Sequence, residues 1–175
     1  MSEGRSTLTL IRAYDKPVQF GFGIAPEADA HLQRAARLVT HREASLAALI
    51  DAREAAPGQV ETLVAMFKLL FYQGKIAKAE SLVRESLTKA ALQGGFPSDW
   101  HQLDRDSAQW REPRGPARLY LYSLKALAFI RLRQDDREGA REILDTIALI
   151  DPEDNVGANV IRELHTGIER DDRYG

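Results

Sequence analysis

Cysteine is absent from the 175 residues, which excludes disulfides, thiolate metal sites and a cysteine nucleophile. An excess of one charge sign is missing too. The 24 Lys and Arg against 26 Asp and Glu leave a formal net charge of -2, and no block of like charges forms a tail. Nucleic acid is therefore not an expected partner, for want of an electrostatic footprint. No run approaches the ~18 apolar residues of a membrane helix. The opening MSEGRSTLTLIRAYDK also lacks the basic region and apolar core of a secretory signal. The expectation is a soluble, cytoplasmic protein without membrane contact.

What is present is material for one globular core, with 44% hydrophobic and 29% charged residues. Two parts differ in period. In residues 1–25, PVQFGFGI alternates strictly, placing Val18, Phe20, Phe22 and Ile24 on one face of an extended segment. STLTLI is a second β-prone run across the turn-like YDKP. Either a short β-hairpin or an extended arm over the helical body fits. GFG without a strand-to-helix context and a third glycine is no dinucleotide loop.

From Pro26 to the end the period is helical. Leu32, Ala35, Ala36 and Val39 make one stripe, and Leu46, Leu49, Ile50 and Arg53 a second that stops at Pro57-Gly58. VETLVAMFKLLFYQ buries Leu63, Met66, Phe67, Leu70 and Phe71 and breaks at Gly74. AKAESLVRESLTKAAL follows, with Ala79, Leu82, Val83 and Leu87. PARLYLYSLKALAFIRLRQ and REGAREILDTIALI are two more helices, closed by Asp151-Pro152. A last one presents Val160, Ile161, Leu164 and Ile168.

Helix pairs with Gly or Asp at the inner turn and Pro after the second helix resemble the tetratricopeptide repeat, whose period is about 34 residues. In TLVAMFKLLFYQGKIAKAESLVRESL, Leu63, Met66, Phe67 and Leu70 match the first-helix apolar positions. Gly74 matches the turn, Ala79 the small second-helix position, and Val83 and Ser86 the last inward ones. Leu124, Leu127, Ala128, Ala140, Leu144, Ile147 and Asp151-Pro152 repeat the pattern. Phe67 stands where the family prefers a small residue and Arg131 where it prefers a large apolar one. The resemblance implies an all-α superhelix of antiparallel helix pairs carrying a short extended or β-hairpin N-terminal arm.

Spacing locates an interruption. Ser45 and Ala79, equivalent second-helix positions, lie 34 residues apart, whereas Ala79 and Ala140 lie 61 apart, one period plus 27. Pro57 and Pro152 are 95 apart, two periods plus the same 27. Three repeats are thus expected at about 26–59, 60–93 and 121–154, with an insertion near 94–120 and a capping helix near 155–170. The insertion holds both tryptophans of the chain. DWHQLDRDSAQW reads as a short helix directing Trp100, Leu103 and Trp110 toward the body. Trp100 would either anchor the excursion or form a binding rim, since Trp is enriched at interface hot spots.

Asp99, His101, Asp104 and Asp106 match no metal-ligand spacing, and DRDSAQ lacks the glycine and distal glutamate of a calcium loop. His31, His41 and His165 are dispersed, as surface or packing residues. No metal, cofactor or catalytic constellation is expected. A small enzyme would require polar side chains of the 94–120 excursion to converge in a pocket.

In the tetratricopeptide family the first helices line a concave groove for peptides or partner helices. The resemblance therefore implies a groove lined by Arg34 and Arg37, by Lys68, Phe71 and Tyr72, and by Tyr122, Lys125, Phe129 and Arg133. That basic and aromatic mixture suits an acidic protein segment with apolar anchors. The other reading leaves the Lys and Arg solvated and Phe71 and Phe129 in the core. Ala30, Ala65 and Ala126 occupy positions where the chaperone-tail-binding subfamily needs polar donors, so its carboxylate ligand is not implied. The expected role is an adaptor or chaperone-like interaction module, similar to three-repeat secretion chaperones. The alternative is an accessory subunit that forms a homodimer through its N-terminal arm.

Overall fold

The computed structural model describes residues 24–174, with side chains through residue 167. Among these residues the protein is all-α, with seven α-helices and no strand. They are α1 (Pro26–Arg37), α2 (Arg42–Ala55), α3 (Val60–Tyr72), α4 (Ile76–Gly94), α5 (Pro116–Arg133), α6 (Arg137–Ile150) and α7 (Asn159–Tyr174). The strand-prone runs with Val18, Phe20 and Phe22 lie outside the described residues. Ile24 packs, half-buried, against the core.

Short turns force neighbours to fold back as hairpins, and α1 packs on α2, α3 on α4 and α5 on α6. α4 also packs extensively on α5, which joins the second hairpin to the third. α3 is buried on several sides, through Val60, Thr62, Leu63, Val64, Met66 and Phe67 among others, as suits a central helix.

The two inner turns are built alike. Gly74 (φ 73°) and Asp135 (φ 61°) both take the left-handed conformation that ends a helix. The Lys75 amide donates to the Leu70 carbonyl at 2.9 Å, and 61 residues on the Asp136 amide donates to Arg131 at 2.9 Å. Each bond closes off carbonyls that the helix end leaves open. Ser45, Ala79 and Ala140 are buried at 3%, 0% and 0% exposure, and each amide donates four residues back, to His41, Lys75 and Asp136. A larger side chain has no room there. Ala140→Leu is expected to overpack the α5–α6 hairpin and lose about 1–3 kcal/mol, measurable as a lower denaturant midpoint. An unchanged midpoint would mean the site has slack.

Arg131, one of the two residues out of the expected pattern, is half-buried and lies 3.3 Å from Asp136 and 3.9 Å from Glu80. Ion pairs thus take up the charge that the apolar position would otherwise strand. Three stripe residues depart from expectation. Ile50 is 43% exposed, Val160 63% and Leu164 48%. α2 seats through Ser45, Ala48, Leu49 and Ala52, an i, i+3, i+4, i+7 face that turns Ile50 aside. α7 seats through buried Ile161 and His165, and among the described residues no later helix covers its outer side. His165 is a packing histidine whose Nε2 lies 3.0 Å from the Arg137 carbonyl.

The interruption after the second hairpin lengthens both flanking helices, α4 to 19 residues and α5 to 18, against 12 to 14 in α1, α2, α3 and α6. Residues 95–115 form the remaining loop. The expected helix over DWHQLDRDSAQW is not formed, and a single 3-10 turn, Trp100–Gln102, stands in its place. Asp99 and Asp104 explain this, because their carboxylates bond nearby amides, at His101 (3.1 Å) and Asp106 (2.9 Å), in competition with helical bonding.

Candidate functional site

The face shared by α3 and α5 follows from helical spacing. Arg118, Tyr122, Lys125 and Phe129 sit at i, i+4, i+7 and i+11 on α5, and Lys68 and Phe71 at i and i+3 on α3, so each set lines one side of its helix. The two sets meet. The Phe71 and Phe129 rings lie 5.0 Å apart between centroids, both half-buried against the core. Beside them the Tyr122 ring centroid lies 5.6 Å from Lys68 Nζ, 5.5 Å from Lys125 Nζ and 5.9 Å from the Arg118 guanidinium carbon. Cations at this range are attracted by the ring's negative face.

The electrostatics of the cluster are lopsided. Lys68 is exposed as a residue, yet the surrounding protein desolvates its ammonium and holds its pKa below the usual lysine value. Lys125 is lowered first by burial and then by the like charge of Lys68, with Asp154 opposing. Its Nζ donates to the Val156 carbonyl at 2.6 Å. The Asp154 carboxylate is engaged at the start of α7, accepting from the Ala158 amide at 2.6 Å and the Asn159 amide at 3.2 Å. Arg118 is buried, at 9% exposure, and its Nη1 has no hydrogen-bond partner among the described residues. Arg118 is hard to single out from the sequence. Its only signal was the i, i+4, i+7 spacing with Tyr122 and Lys125.

Other expected site residues lie apart from this cluster or face solvent. Arg34 pairs with Asp51 across the α1–α2 hairpin, and Arg37 and Arg133 are exposed at helix ends. Tyr72 is 74% exposed at the end of α3.

Trp100 belongs to the excursion, where it is half-buried with its ring 5.0 Å from the His101 ring. The anchor of that excursion is Trp110, at 4% exposure. Trp110, Phe96 and Tyr120 form an aromatic cluster, with Phe96 5.2 Å from each of the other two rings. The Trp110 indole donates to the Asp104 carbonyl at 2.8 Å, and Tyr120 donates to the Ser98 carbonyl at 2.8 Å. Burial, followed by the charge of Asp99, raises the Tyr120 pKa and keeps that donor protonated.

A separate cleft of about 340 Å³ lies between the excursion and the α6–α7 turn, lined in part by Arg105, Asp106, Arg111, Asp151 and Glu153. Most of these groups are engaged. Arg111 and Glu153 pair at 3.1 Å, Arg105 donates to the Leu149 carbonyl, and Asp151 accepts from the Val156 amide and the Asn155 side chain. His101 pairs with Asp99 at 2.7 Å and faces Glu142 at 3.7 Å. Among the described residues no three His, Asp or Glu side chains are placed to hold a metal ion.

Fold and face together define an all-helical stack of hairpins with a cationic, aromatic patch on two of its helices. No family model matches the chain, and no solved structure matches it. It is similar, at 23% identity over 118 residues, to an uncharacterized 19.8 kDa protein in the nifW 5′ region of Azotobacter chroococcum mcd 1. The match spans 66% of each chain. Among the described residues no helix is long and apolar enough to cross a membrane.

Proposed function

We propose that the protein is an interaction module of the tetratricopeptide type that binds an acidic protein segment with apolar anchors on the α3–α5 face. The observation that carries this reading is the gathering of Lys68, Arg118 and Lys125 within 5.9 Å of the Tyr122 ring centroid. Like charges held together repel, and the arrangement pays its way only when a negative partner arrives. The adjoining Phe71–Phe129 pair offers an apolar seat one helical turn along. Supporting the repeat assignment are the buried small residues at Ser45, Ala79 and Ala140 and the matching inner turns at Gly74 and Asp135. The role is binding and not catalysis.

Because the similar protein comes from a nifW 5′ region, the nifW product is the first purified protein to test as the partner, followed by proteins captured from the host. For the captured partner, Tyr122→Ala should speed dissociation about tenfold or more, as expected for an aromatic hot spot worth roughly 2 kcal/mol. Surface-immobilised binding kinetics measure it, with circular dichroism confirming that the variant stays helical. A dissociation rate equal to that of the parent protein would remove Tyr122 from the interface.

A further inference from the structure

Arg118 is the anomaly of the α3–α5 face. A guanidinium carries five donors and is always charged, and burying it without a partner leaves its desolvation uncompensated. Yet Arg118 is 9% exposed, its Nη1 has no partner among the described residues, and the Tyr122 ring beside it accepts no conventional hydrogen bond. Its neighbours are little compensated either. Lys68 forms no ion pair among the described residues, and Lys125 donates to an uncharged carbonyl, with Asp154, itself bonded by α7 amides, as an opposing charge nearby.

We propose that Lys68, Arg118 and Lys125 hold a phosphate monoester dianion beside Tyr122, so that the acidic anchor of the bound segment is a phosphorylated side chain. This rests on the groove reading above and specifies its ligand. A carboxylate brings one charge and two acceptor oxygens. A phosphate monoester brings up to two charges and three acceptor oxygens, one for each of the three cations. The division of labour suits the residues: Arg118 is a rigid fork in the wall, and the two lysines are mobile point charges that close from α3 and α5. The Phe71–Phe129 pair continues the same face, which favours a phosphate attached to a chain with apolar neighbours over a free ion.

The test uses the whole protein and four probes: inorganic phosphate, and three versions of one short synthetic peptide carrying phosphoserine, Glu or Ser between leucines. Calorimetric titration should show the phosphoserine peptide binding about tenfold tighter than the Glu version, the worth of one further charge-assisted hydrogen bond. Lys68→Met and Arg118→Met should each lose about as much. Thermal denaturation supplies a second readout. Arg118→Met should melt higher than the parent protein without anion, because a buried unpaired charge has gone, and should lose the rise in midpoint that phosphate gives the parent. Equal affinity for the phosphoserine and Glu peptides, or phosphoserine binding unchanged in both variants, would overturn the phosphate assignment. Inorganic phosphate binding as tightly as the phosphopeptide would overturn the chain-borne ligand in favour of a small anion. If the captured partner binds equally well after phosphatase treatment but fails against Tyr122→Ala, the groove stands and the phosphate proposal falls. If it ignores Tyr122→Ala, the groove reading itself fails.

Discussion

Trp110→Ala is expected to destabilise the protein by about 3–5 kcal/mol, the cost of emptying a fully packed aromatic site. Three losses combine there. The indole is 4% exposed, its ring faces Phe96 at 5.2 Å and Tyr120 at 6.2 Å, and its Nε1–H holds the Asp104 carbonyl. Removing it frees the loop from the lengthened ends of α4 and α5. Leu103 and Phe96, 5% and 8% exposed, would then lose a neighbour. Trp100→Ala is the internal control, because Trp100 is only half-buried and its Nε1 has no partner among the described residues. Urea titration followed by far-ultraviolet circular dichroism measures both. A Trp110→Ala loss no larger than that of Trp100→Ala would mean the excursion is held elsewhere, for example by the Arg105 bond to Leu149.

Charge reversal on the α3–α5 face should have the largest effect on binding. The double variant Lys68→Glu, Lys125→Glu replaces two positive charges flanking Tyr122 with two negative ones. Electrostatic steering is worth roughly 10- to 1,000-fold in association rate and fades as salt screens it. Association with the captured acidic partner should therefore slow by at least about tenfold at low salt, and its dependence on salt should flatten or invert. Lys125 also donates to the Val156 carbonyl at 2.6 Å, so reversal there loosens the approach to α7. Lys68→Glu alone separates the two effects, since Lys68 makes no ion pair or hydrogen bond among the described residues. Stopped-flow mixing at two ionic strengths is the measurement. An unchanged association rate and salt slope would move the interface off this face.

Much of the helical architecture is legible in the sequence, and the reason is local. Apolar period, the stops at Pro57-Gly58 and Asp151-Pro152, and the turn residues Gly74 and Asp135 act within a few positions of the chain. The excursion was less legible. Two tryptophans in one loop look alike to a reader of sequence, and burial selected Trp110 over Trp100 because Phe96 and Tyr120, 14 and 10 residues away in sequence, close around it. The short helix expected there gave way to Asp99 and Asp104, whose side chains bond backbone amides in turns. Val160 and Leu164 show the limit of periodicity, which finds an apolar face but cannot say whether anything covers it.

By itself, the sequence determined the order and approximate extent of the seven α-helices among the described residues. Helix formation depends on contacts three or four residues apart, and those travel with the chain. The tertiary structure alone decided which charges stay unpaired. Arg34 and Arg118 are indistinguishable as helical arginines, yet Arg34 meets Asp51 on the facing helix and Arg118, among the described residues, meets the Tyr122 ring and no carboxylate. Pairing between helices depends on their separation and rotation, which the packing of the whole core sets.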